Sequence, residues 1–145
     1  MGKVVINSCY GGFSLSREAC QRYWDLKGEQ VWIEDDTEYP SLGIFTVWLV
    51  PPSERVEKKT SKEFASMSLD ERVAYSQKVS EQSWYDRDVE RNDPVLVQVV
   101  EELGDKANGK YSKLRVVEVD GLYKIDEYDG YESIETPDQI EWSYA

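Results

Sequence analysis

The chain has no histidine among its 145 residues. That absence removes the Ser-His-Asp triad, the Cys-His dyad, imidazole metal ligation and the imidazole proton shuttle. Two cysteines are too few for a Cys₄ zinc site or a disulfide scaffold. Basic residues are scarce as well: 17 Lys and Arg stand against 29 Asp and Glu, a net charge of −12. Because nucleic acids recruit clustered Lys and Arg, a chain this acidic is not expected to bind DNA or RNA directly. Long apolar runs are missing too. The longest, Ile44 to Val50, is about a third of a membrane span, contains Thr46 and stops at Pro51-Pro52. The opening segment is too short an apolar run for a secretory h-region, and Gly2 lacks the correctly spaced Ser or Thr of a myristoylation site. Cys9 and Cys20 then read as reduced thiols, and the expected compartment is the cytoplasm, away from membranes.

What is present suits one α+β domain. The length matches a single domain, and five Trp, ten Tyr and three Phe supply core and contact material. Lys3 to Asn7 is a β-branched run ending in turn chemistry, and so a buried strand. Ser16 N-caps a helix over Arg17 to Lys27 that Gly28 stops. Residues 30–34 and 44–50 read as further strands, and strand–helix–strand over residues 3–34 is compatible with a βαβ unit. Residues 53–66, rich in Ser, Glu, Lys and Thr, read as a surface loop or insert. Ser68 and Glu71 form a capping box ahead of a helix reaching Gln82, with Leu69, Val73 and Val79 on its apolar face. An extended piece follows from Trp84 to Val89. Asp93-Pro94 starts a third helix, whose Val95, Leu96, Val99, Val100 and Leu103 make a wide apolar stripe ending at Gly104. Two Asp-Gly turns, at 120–121 and 129–130, separate three strand-like runs. This spacing predicts a three-stranded antiparallel meander built on type I′ turns. The expected architecture is therefore one domain over residues 1–145, with about three helices and a mixed sheet.

Two constellations are candidates for chemistry or contact. The segment Ser8 to Ser16 runs from a strand to a helix start, so Gly11, Gly12, Ser14 and Ser16 form a candidate anion or nucleotide loop. It matches neither the P-loop nor the dinucleotide fingerprint, and a tight structural turn explains it as well. Cys9 would lack a histidine base, so no catalytic residue is assigned. The acidic run Asp126 to Glu132 fails as an EF-hand, because a sixth-position Gly130 puts Ile125 first; no metal or cofactor is assigned. The second constellation lies at the end of the chain, where nine acids face Arg115 and Lys124 over residues 114–145. Tyr123, Glu127, Tyr128, Asp129, Tyr131, Glu132 and Trp142 there combine aromatic anchors with an acidic rim, the mixture of a protein interface.

The segments Val4 to Ser16, Trp84 to Asp88, Arg91 to Gly109, Leu114 to Glu118 and Glu127 to Gly130 resemble a family of small proteins encoded by tailed bacteriophages. The resemblance covers most of the chain, with residues 50–83 and the tail after Glu132 departing from it. It implies a phage origin and the cytoplasm of an infected bacterium, and it brings no catalytic residue. The expected function is that of an accessory protein that binds and modulates or inhibits a bacterial host or defence protein. The alternative is a small-molecule protein or enzyme using the Gly11-Gly12 loop. Homo-oligomerisation is left open.

Overall fold

Val4, Val5 and Ile6 are almost wholly removed from water, which places the first strand at the centre of its unit rather than at an edge of the molecule. The computed structural model describes residues 2–137. Its elements are β1 (Gly2–Asn7), α1 (Arg17–Lys27), β2 (Trp32–Asp35), β3 (Phe45–Trp48), α2 (Ser61–Ala65), α3 (Leu69–Gln82), β4 (Ser83–Trp84), α4 (Pro94–Leu103), β5 (Leu114–Val119), β6 (Lys124–Tyr128) and β7 (Tyr131–Glu135). The class is α+β. The chain packs as two compact units, one from Met1–Lys27 with Asp86–Ala145 and one from Gly28–Tyr85.

In the first unit β1 pairs antiparallel with β5, from Gly2 opposite Val119 to Asn7 opposite Leu114. Alternation sends Val4 and Ile6 to one face, where Val117, Val119, Tyr123, Ile125 and Ile134 join them. The β6–β7 hairpin thus covers this face. Val5 points to the other face, and α4 is the helix packed on β1 and β5, with α1 against α4. Of the expected stripe Leu96, Val99 and Val100 are buried and Val95 and Leu103 half-buried, while Val97, outside that stripe, is buried as well. Asp93 caps α4 through the Val95 amide at 2.9 Å and accepts a 2.7 Å bond from the Tyr23 hydroxyl of α1. Partial burial pushes the Asp93 carboxyl upward, but Tyr23, the Val95 amide and Lys27 together hold it below its ordinary value.

The second unit holds a three-stranded antiparallel sheet in the order β2-β3-β4. Arg55 pairs with Glu34 and lies over the Trp48 ring, 4.8 Å from its centroid. Helix α3 has both halves of its capping box, yet none of its residues is buried, and Leu69 and Val73 face solvent.

Five expectations are corrected. The strands flanking α1 belong to separate sheets, so residues 3–34 form no βαβ unit. All pairings among the described strands are antiparallel, so the sheet is not mixed. The meander is a hairpin plus a strand that turns elsewhere. At the second Asp-Gly both residues have positive φ, 52° at Asp129 and 88° at Gly130, as a type I′ turn requires. At the first, Gly121 alone does; Asp120 does not reverse the chain in this way, and β5 joins β1 instead of β6. Residues 53–66 contain the short helix α2, started by a second capping box between Thr60 and Glu63. The extended piece expected to Val89 ends at Trp84 and gives way to a 3₁₀ turn at Asp86–Asp88.

Two measurements follow from this packing. Leu96 is fully buried, so Leu96→Ala should cost about 2–5 kcal/mol in urea unfolding, whereas exposed Leu69→Ala should stay within about 0.5 kcal/mol. The Asp93 carboxyl is depressed when folded, so its contribution is complete above the ordinary value of 3.8 and is lost as pH falls below it. Asp93→Asn should therefore flatten the acid limb of the stability–pH curve.

Candidate interaction site

The first unit is tied together where β1 ends. Asn7 is fully buried, and its carboxamide uses both ends. Its Nδ2 donates to the carbonyls of Cys9 and Gly130, each at 2.8 Å, and its Oδ1 accepts from the Lys113 amide at 2.8 Å. Its own backbone N–H donates to Glu132 Oε1 at 2.8 Å, across 125 residues of sequence. The same carboxylate oxygen accepts from the Arg91 guanidinium, which lies 3.6 Å from the centroid of the Phe13 ring. Glu132 is therefore a buried, paired carboxylate at 5% exposure and not part of an outer rim. This corrects the surface role expected for it.

The glycine loop is fitted against this centre. A Cβ at Gly11 would sit 1.7 Å from the Tyr111 carbonyl oxygen, and one at Gly130 would sit 2.6 Å from the Gly12 amide nitrogen. Close backbone approach explains both glycines, and Gly12 also takes a φ of 88°. Ser14 gives its carbonyl to the Ser112 hydroxyl at 2.7 Å and to the Gly109 amide at 3.3 Å. The Ser16 hydroxyl donates to the Lys106 carbonyl at 2.6 Å and accepts from the Ala19 amide at 3.0 Å. The four residues expected at an anion loop are thus close together, and each has an intramolecular task. Cys9 Sγ donates to the Tyr111 carbonyl at 3.1 Å. Burial pushes the Cys20 thiol far up, with Asp86 adding to the shift, so Cys20 is held as the unreactive thiol. Among the described residues no group of three or more His, Cys, Asp or Glu side chains is placed to hold a metal ion, and no helix is long and apolar enough to cross a membrane.

Above this base the hairpin presents a tyrosine tip. Tyr128 and Tyr131 stand opposite each other in the β6–β7 register, on either side of Asp129-Gly130. Tyr131 packs against Tyr10, with ring centroids 5.3 Å apart. Tyr128 is 77% exposed and Tyr10 66%, and Tyr111 is exposed beside Gly11. Asp126, Glu127 and Asp129 are exposed on the same hairpin. Of the seven residues expected at a partner surface, Glu127, Tyr128, Asp129 and Tyr131 are brought together here. Tyr123 is half-buried against the core, and Trp142 lies outside the described residues. Tyr10 and Tyr111 belong to the tip but were hidden in the sequence, since each is about a hundred residues or more from its neighbours in the fold. Comparison with protein-family models, curated proteins and solved structures finds no match to this chain.

The two glutamates that face each other at Glu127–Glu132 should behave oppositely. Glu132→Ala leaves Arg91 and the Asn7 amide unpaired and should cost about 3–5 kcal/mol in urea unfolding. Glu127→Ala should change stability by no more than about 0.5 kcal/mol.

Proposed function

We propose that this chain is an accessory protein of a tailed bacteriophage that binds a bacterial host or defence protein in the cytoplasm and modulates or inhibits it. The observation that carries this reading is the tyrosine tip: several large aromatic rings held exposed on a pinned hairpin and rimmed by carboxylates. Tyrosine offers large contact area with few rotors to order, and such anchors dominate interface energetics. The acidic rim suits a basic patch on the partner and speeds encounter with it, while a net charge of −12 disfavours nucleic acid as the direct ligand. No enzymatic step is proposed, and the glycine loop is given no ligand.

The test is a nuclease-treated pull-down from bacterial lysate with tagged protein at about 0.3 M salt, where exposed charge pairs are strongly screened. The parent should retain one stoichiometric protein. The double variant Glu127→Lys/Tyr128→Ala, which leaves the buried Glu132 intact, should bind it about tenfold or more weakly, a loss of about 1.4 kcal/mol or more. A folded parent that captures nothing, or a folded double variant that binds unchanged, overturns the proposal.

A further inference from the structure

Antiparallel pairing lets the direction of every amide in β1 and β5 be assigned. The Ser8 amide donates to the Lys113 carbonyl at 2.7 Å, continuing the ladder, so Ile6–Arg115 and Val4–Val117 are hydrogen-bonded pairs. Lys3, Val5, Asn7, Leu114, Val116 and Glu118 then turn their amides away from the partner strand. Three of these outward amides are capped. The Val5 amide donates to the Arg91 carbonyl at 2.8 Å, the Asn7 amide to Glu132, and the Leu114 amide to Asn108 Oδ1 at 2.8 Å. On β5 the amides of Val116 and Glu118, like that of Lys3 at the start of β1, have no partner among the described residues. Among the described residues the outer edge of β5 therefore carries no partner at Val116 and Glu118.

A groove of about 790 Å³ lies beside β5, with an apolar part from Val117, Val119, Leu122 and Ile134 and a charged part that includes Glu118 and Asp120. No proline interrupts β5, and Leu122 beside it is 78% exposed. An unpartnered edge next to a partly apolar, partly acidic groove is the geometry of strand addition, in which backbone bonds give affinity and alternate side chains give specificity. We propose that β5 takes an extended segment of a partner protein whose apolar and basic residues alternate. Residues opposite Val117 and Val119 would face the groove and be apolar; those on the opposite face would meet Glu118 and be basic. A second copy of this chain fits poorly. Using the open groups of Val116 and Glu118, a two-fold pairing of β5 with itself centres on Val117 and brings the two Glu118 side chains diagonally together, between chains each carrying −12. This surface goes beyond the tyrosine tip: Tyr131 borders both, but the variants that test the two surfaces share no residue, so either can fail alone.

The probe is a ten-residue peptide of alternating Lys and Val, added to the full chain while hydrogen exchange is followed residue by residue. The Val116 and Glu118 amides should exchange quickly without it and about tenfold or more slowly with it. A peptide N-methylated at alternate amides should not protect them. Val116→Pro removes one outward donor without touching the ladder to β1, and it should lose the peptide; if that variant fails to fold, the methylated peptide carries the comparison. The proposal is overturned if millimolar peptide gives no slowing or if methylated and plain peptides act alike. It is equally overturned if these amides are already protected in the unliganded monomer, or are protected through formation of a dimer.

Discussion

A single carboxylate governs the first unit. Glu132 accepts from the Asn7 amide and from Arg91, and so closes the outer edge of β1 while fixing the hairpin that covers the sheet. Burying an ionised group is costly unless it is paired and hydrogen-bonded, and here both conditions are met. The side chain of Asn7 completes the arrangement from the other side. By donating to Gly130 and accepting from Lys113 it sets the glycine turn, the start of β5 and the tip of the hairpin in fixed relation. The tyrosine tip is therefore an extension of the core and not a loose loop, with Tyr10 and Tyr131 supplied by the two segments that Asn7 joins.

The two edges of the β1–β5 sheet are treated differently. The β1 edge is closed at Val5 by a carbonyl and at Asn7 by a carboxylate. The β5 edge is closed by Asn108 at Leu114 and, among the described residues, has no partner at Val116 and Glu118. Soluble proteins commonly guard such edges with charge, and Arg115 and Glu118 are the charged residues β5 carries. The open stretch is also the apolar one on its groove side. The two proposed surfaces are chemically distinct, one working through side chains and the other through backbone.

Local chemistry was legible in the sequence. The Ser16, Ser68 and Asp93 caps, the glycine stops and the apolar stripe of α4 all act within a few residues, and all are present as read. The α2 capping box was equally local, but five residues without an apolar face gave no periodicity to accompany it. What sequence could not disclose is pairing at long range. The Asp-Gly dipeptide at 120–121 is identical to that at 129–130, yet only the second takes the mirror-image turn, because β1 competes for β5. Glu132 sits in a run of acids and tyrosines with nothing local to mark it as buried. Its partners, Asn7 and Arg91, are 125 and 41 residues away. Gly11 and Gly12 read as permissive for a ligand, whereas the atoms that approach them belong to Tyr111 and to Gly130 of the same chain.

The pairing of β1 with β5 also orders events during synthesis. The first strand emerges from the ribosome with its apolar side chains exposed and has no partner until residues 114–119 have followed it. The segment Gly28–Tyr85, by contrast, holds all three strands of its own sheet and is complete well before that point. Distant contacts must await closure of the intervening chain, and they slow folding accordingly. The strand that becomes most deeply buried is thus the one that waits longest in the cell, held in solution among an excess of acidic side chains.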